Sequence, residues 1–131
     1  MKLLLDTHIW LWSIAEPHRL SRRVAKELDD RENQLWLSPI SIWEALLLCQ
    51  KGRIRTSGVF ATWLADALSM IPLTEAPLTF DVARALPTVT LPHSDPADLF
   101  LVASAKVFDL TLVTADRNLI RAHGIQVLAN A

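Results

Sequence analysis

Apolar positions in this chain fall into two patterns, short nearly continuous runs and longer stretches in which they recur every three or four residues. The runs "KLLL" (2–5), "QLWLS" (34–38), "MIPL" (70–73), "TLVT" (111–114) and "IQVL" (125–128) predict strands buried on both faces. The intervening periodicity predicts helices over 7–15, 21–32, 40–51, 59–69, 77–86, 97–108 and 117–122. Punctuation agrees with these helices. Ser21, the pair Ser38-Pro39 and the pair Asp95-Pro96 each stand where a helix cap and first turn belong. Gly52 and Gly124 sit where a glycine just past a helix end is expected. The segment "PTVTLPHSDP" (87–96) is the one long proline-rich loop. Strand and helix alternate from end to end, which predicts an α/β fold with a central parallel sheet of about 4–5 strands and helices on both faces. With no repeat, linker or low-complexity tract, residues 1–131 form one domain.

Composition changes this picture in three ways. Apolar residues make up 51% of the chain, including five tryptophans, so part of the apolar surface is expected to meet a subunit or a partner. A net charge of −1 excludes a strongly basic surface and leaves only local patches for a polyanion. One patch is Lys51, Arg53 and Arg55 in "KGRIR", and another is Arg19, Arg22 and Arg23; each also reads as ordinary solvated surface or as cations complementing a helix end. The lone Cys49 can form no internal disulfide, and no run approaches the ~18 apolar residues of a membrane span. "MKLLL" is cut off by Asp6 before it could serve as a signal-peptide core, so the expected setting is cytoplasmic, with no membrane partner.

The acidic residues fall at particular places. Asp6 ends the first strand, Asp116 follows the strand 111–114, Asp95 and Asp98 open one helix, and Glu44 lies early in another. Ligands of an open α/β sheet bind beyond the carboxyl ends of its strands, the edge to which all of these belong. Each also has a structural reading. Asp6 and Asp116 serve as helix caps, and Asp95 with Asp98 fits a capping box. Glu44 is harder to absorb, because Ile40, Glu44, Leu47 and Leu48 follow the spacing of an inward stripe. A carboxylate there needs a partner, a proton or a cation. Converging carboxylates repel unless a cation compensates them, and all-oxygen ligation favours Mg²⁺ or Mn²⁺ over Zn²⁺. The histidines at 8, 18, 93 and 123 have no paired ligand spacing, and His8 reads as a polar neighbour of Asp6.

In this order and spacing "LLLDTHIWLW", "SPISIWEALLL", "HSDPADLFLVASA" and "LVTADRNL" resemble the PIN-domain nucleases, and within them the VapC-type toxins of prokaryotic toxin–antitoxin pairs. The resemblance spans essentially the whole chain. It implies a PIN-like three-layer sandwich and a metal-dependent endoribonuclease site built from Asp6, Glu44, Asp98 and Asp116, holding Mg²⁺ or Mn²⁺. Asp95 would stand beside the site, with Thr7 and Thr114 as supporting hydroxyls. Backbone N–H groups opening helix 97–108 are candidate phosphate donors. Implied partners are RNA, contacted by Lys51, Arg53 and Arg55, a second copy in a homodimer, and a cognate antitoxin. The apolar surplus, Trp10 and Trp12 included, would serve the last two. Where many relatives read Asp-Pro-x-Asp-Arg, this chain has Leu99 after Asp98 and lacks that cation.

Two other classes remain. An Asp-dependent phosphotransfer domain also sets acids at strand ends, yet the phosphatase pattern wants a second Asp two residues after the first, where His8 stands, and a receiver wants an acidic pair and a late Lys. A catalytically silent PIN-like binding module would not need all four acids.

Overall fold

The structure, a computed structural model, describes residues 1–56, 58–92 and 95–131. Ser57, His93 and Ser94 lie outside the described residues, so one of the four histidines and part of the expected loop 87–96 are not considered further. In chain order the elements are β1 (Lys2–Leu5), α1 (Thr7–Ala15), α2 (Arg22–Asp29), β2 (Gln34–Leu37), α3 (Pro39–Gln50), α4 (Phe60–Ser69) and β3 (Thr74–Glu75). They continue with α5 (Phe80–Ala85), α6 (Pro96–Phe108), β4 (Thr111–Thr114), α7 (Arg117–Ile120) and β5 (Gln126–Ala129), with single 3-10 turns at Pro17–Arg19 and Leu86–Thr88.

The sheet has five strands in the order β3-β2-β1-β4-β5, and every neighbouring pair is parallel. The chain therefore winds outward from β1 on one side, returns to β4 against the other side of β1, and winds outward again. The order reverses between β1 and β4, and a crevice opens there at the carboxyl ends of the strands. Asp6 continues the pairing past β1, since its N–H donates to the Val113 carbonyl at 3.0 Å.

Strand side chains alternate between two hydrophobic clusters. Leu3, Leu5, Leu35, Leu37, Val113 and Leu128 face Ile9, Trp10, Val24 and Ala67 of α1, α2 and α4. Leu4 and Leu112 face the other way, onto Leu101, Val102, Ala105 and Leu119 of α6 and α7. Both faces are thus covered and the architecture is the expected three-layer α/β sandwich. α3 stands between the layers, with Ala45 in the first cluster and Ile40 against the second. Among the described residues no helix is long and apolar enough to cross a membrane.

Three details differ from the sequence reading. The third strand is Thr74–Glu75, two residues long and exposed, and not 70–73. Met70 caps α4, and only Trp36 and Leu37 of β2 find partners on this edge, at Thr74 and Glu75. "MIPL" is apolar because Ile71 and Leu73 pack onto the first cluster from outside the ladder. Gly124 ends no helix: α7 stops at Ile120 with Arg121 as its cap, and Gly124 (φ 80°) turns the chain towards β5. The left-handed residue closing α6 is Asp109 (φ 54°), whose N–H donates to Ala105. Trp10 is fully buried, so its apolar surface serves the core and no partner.

α6 begins as its sequence predicts. Asp95 is the N-cap, its Oδ1 accepting from the Ala97 N–H at 3.0 Å, and Pro96 takes the first helical position, where its missing N–H costs nothing. Asp95→Asn and Asp95→Ala remove the same charge, but only Asn keeps the capping oxygen. Urea denaturation should find the Asn variant more stable than the Ala variant by about 1 kcal/mol; equal stabilities would show that the bond contributes nothing.

Candidate active site

Five carboxylates gather at the crevice. Asp6, Glu44, Asp95, Asp98 and Asp116 line one cavity of about 450 Å³, together with His8, Trp12, Arg19 and Ala115. They arrive from four places. Asp6 extends β1, Glu44 rises from α3, Asp95 and Asp98 open α6, and Asp116 follows β4.

Hydrogen bonds fix some of these side chains. Asp6 is buried and N-caps α1, its Oδ1 accepting from the Thr7 N–H at 2.7 Å. Its other oxygen accepts from the Thr114 hydroxyl at 2.7 Å. The same Thr114 oxygen accepts from the Asp116 N–H at 3.0 Å, so one buried hydroxyl sets both Asp6 and the backbone of Asp116. Asp116 caps α7 through the Asn118 N–H at 2.8 Å. Glu44 Oε1 accepts from the Thr7 hydroxyl in a short bond. Thr7 has one hydroxyl hydrogen, so the Ser41 hydroxyl, 2.9 Å away, is then the donor to Thr7.

Asp98 differs from the rest. It is 6% exposed, yet among the described residues its carboxylate has no hydrogen-bond partner. The capping box expected with Asp95 is not closed, and the side chain is left to the cavity. Burial together with the neighbouring charges of Asp95, Asp6, Asp116 and Glu44 pushes its carboxyl up to about 7. Burial also raises Asp6, against the opposing pull of the Thr114 and Thr7 hydrogen bonds and of His8. Glu44 is raised chiefly by burial and further by Asp6 and Asp95, while Thr7 opposes the shift. Among the described residues the ion pairs are Arg19–Glu16 and Arg84–Asp81, so none of these five acids has one.

The crevice thus holds crowded oxygen donors, none of them ion-paired among the described residues, chemistry that suits a hard divalent ion. Burial and the neighbouring acids raise the Asp98 carboxyl, an electrostatic setting that a bound cation would relieve. Yet among the described residues no three His, Cys, Asp or Glu side chains form a ready-made metal cage. The donor types fit such an ion.

Other expected residues are placed as follows. Thr7 and Thr114 are buried and bonded as described. Arg53 and Arg55 line an adjoining groove, whereas Lys51 is exposed and lines neither cavity. The start of α6 offers a phosphate less than its position suggests, because Pro96 has no N–H and Asp95 occupies that of Ala97. The inward side of α3 is Ser41 and Ala45, one position later than the stripe read from Ile40, and Glu44 is half-buried at its edge. Ser41 was not singled out by the sequence reading. Its spacing, three residues before Glu44 on a helix, was the available signal.

The raised Asp98 carboxyl gives a pH dependence. In the unfolded chain an Asp loses its proton near 3.9, and in the folded chain near 7. The folded state therefore holds more protons between these values, and the stability this group contributes, complete below pH 4, is lost as pH rises through about 7. In EDTA, wild type should lose melting temperature relative to Asp98→Asn between pH 5 and pH 8. A difference between the two that stays flat over this range would refute the assignment.

Comparison with known proteins agrees on the kind of domain. Residues 3–125 match the family described as PIN domain. Ribonuclease VapC22 of Mycobacterium tuberculosis is 34% identical over 124 residues, covering 92% of this chain and 91% of that protein. Among solved structures, VapBC2 from Rickettsia felis, bound to a DNA fragment from its promoter, aligns with a TM-score of 0.74 at 19% identity, covering 98% of each chain. FitAcB from Neisseria gonorrhoeae aligns at 0.64 and 23% identity, covering 98% of this chain and 97% of that one. These two establish the fold.

Proposed function

The chain belongs to the PIN-domain family, and we propose that it is a divalent-metal-dependent endoribonuclease of the VapC type, the toxin of a toxin–antitoxin pair. The observation that carries the reading is the convergence of Asp6, Glu44, Asp98 and Asp116 on one cavity without ion-paired cations. The name of the 34% identical relative, a ribonuclease, supports RNA as the substrate.

Asp6, Glu44 and Asp98 would hold Mg²⁺ or Mn²⁺ directly or through water, with Asp116 completing the set. When bound, the ion neutralises the phosphodiester, makes a water nucleophilic and stabilises the leaving oxygen. The chain's own residues prepare the geometry. Thr114 and the Thr7 N–H hold both oxygens of Asp6, and the Ser41–Thr7 relay holds Glu44. Asp116, tied through its own N–H to Thr114, is positioned to orient the attacking water. A phosphotransfer domain would need one activated Asp rather than a ring of them, and a silent binding module would have no use for a repelling cluster.

Cleavage of end-labelled RNA should require Mg²⁺ or Mn²⁺ and leave 5′-phosphate and 3′-hydroxyl ends. Asp98→Asn should cut at least about 100-fold more slowly and gain less melting temperature from the metal, since a ligand stabilises in proportion to its affinity. Cyclic 2′,3′-phosphate ends, or full activity in EDTA, would overturn the mechanism.

Solved neighbours include VapBC-5 of Mycobacterium tuberculosis, described as a member of a family of toxin–antitoxin systems. That description supports an antitoxin partner; such a partner would cover apolar surface and bring a basic side chain to the acidic crevice, in a cytoplasmic setting. A homodimer would use the exposed apolar residues Trp43 (49%) and Phe80 (82%). Sedimentation should find a dimer that Trp43→Glu or Phe80→Glu dissociates; a wild-type monomer at high concentration would remove this assembly.

A further inference from the structure

The acidic cavity does not end at its carboxylates. His8, Trp12 and Arg19 line it, and the same three residues line a second cavity of about 550 Å³ that carries Arg53, Arg55 and Trp63. The two cavities thus lie side by side along this shared wall, and together are called the groove below. Its residues are stacked on one another, with the Arg19 guanidinium 4.3 Å from the Trp12 ring centroid and the His8 ring 5.8 Å from the same ring. Both of these lie on or just after α1, which Asp6 caps, so the wall is set by the residue that begins the acidic site.

The far side of the groove is equally fixed. α3 ends at Gln50, and Gly52 takes a left-handed conformation (φ 70°). The Gly52 N–H donates to Cys49 and the Arg53 N–H to Leu48, the paired bonds of a glycine-terminated helix. This turn sends "RIR" back along the groove, which puts Arg53 and Arg55 on its wall.

A groove of this kind has the two features that single-stranded nucleic acid requires, π-faces for bases and arginines for phosphates. Its wall of His8, Trp12 and Arg19 also borders the carboxylates, and on the side away from them Arg53 and Arg55 share their cavity with Glu16 as the acidic residue among its described lining. We propose that the groove is the strand-binding subsite for single-stranded RNA. The base next to the scissile phosphate stacks on the Arg19–Trp12 pair, and Arg53 and Arg55 hold the backbone further along. The inference rests on the nuclease reading above and names what would decide which nucleotide is cut beside. An apolar peptide is the rival occupant, and its affinity would owe nothing to bases.

The test uses a fluorescently labelled single-stranded oligoribonucleotide and an abasic strand of equal length and charge, with the full chain in EDTA. Binding is read by anisotropy, and folding by melting. Wild type should prefer the base-bearing strand. Trp12→Leu should weaken that strand on the order of tenfold and the abasic strand little, erasing the preference, while Trp12→Phe should restore most of it. Arg19→Gln, on an exposed side chain that leaves the core intact, should reduce the preference in the same direction. Arg53→Gln and Arg55→Gln should weaken both strands alike and each lower the slope of log affinity against log salt by about 0.7. Equal loss on both strands in Trp12→Leu, or no loss on either, would overturn the subsite and leave the groove to a polypeptide. The two readings fail separately. A wild-type chain that shows the base preference but cuts no RNA with Mg²⁺ sinks the nuclease. One that cuts RNA, with variants that bind like wild type, sinks only the subsite.

Discussion

The hydrogen bond from the Thr114 hydroxyl to the Asp6 carboxylate, at 2.7 Å, joins the two halves of the molecule where they meet. Asp6 and Thr114 stand 108 residues apart in sequence and become neighbours because β1 and β4 pair at the centre of the sheet. The bond is buried on both sides. A carboxylate in that position is held in its charged form only by donors aimed at it, and loss of one leaves a buried acceptor unsatisfied. Asp6 also caps α1, and Thr114 also holds the backbone of Asp116, so the orientation of α1, the start of α7 and the floor of the crevice depend on this one contact.

Around it the chain concentrates charge that works against folding. Asp98 is buried among acids with no hydrogen bond of its own among the described residues, and burial raises the carboxyls of Asp6 and Glu44. Nothing in the packing of the two hydrophobic clusters requires this. Like charges converge at this one crevice while helix caps and strand pairing are kept around it, the usual mark of a functional site. Placement at the sheet's reversal point explains how the molecule tolerates it, because the crevice there is open to solvent and to cations while the strands beneath are covered on both faces.

The structural and the chemical readings of the acids turn out not to exclude each other. Asp6, Asp95 and Asp116 each accept a backbone N–H as helix caps, and each also lines the cavity. A cap uses one carboxylate oxygen and leaves the other for a further partner, which in Asp6 is the Thr114 hydroxyl. Glu44 and Asp98 cap nothing. Helix starts at the carboxyl ends of parallel strands therefore collect acids for a local reason, and the fold gathers them into a site.

Strand and helix alternation, the caps at Ser21, Ser38 and Asp95, and the boundaries of β1, α1 and β4 were legible in the sequence because they rest on short-range periodicity and capping. So was the list of acids, since residue type and position at a strand end or helix start are local facts. The two-residue β3 was not legible, because an edge strand with two pairings carries no periodicity, and the apolar "MIPL" beside it packs without joining the ladder. Nor could sequence reveal that Trp10 is core while Trp12 is on the groove wall, two positions apart on a helix that is apolar nearly all round. The Ser41–Thr7–Glu44 relay and the wall of His8, Trp12 and Arg19 shared by the acidic crevice and the Arg53–Arg55 cavity belong to tertiary structure alone. Each depends on distances between segments dozens of residues apart, which are set by the order in which strands lie side by side.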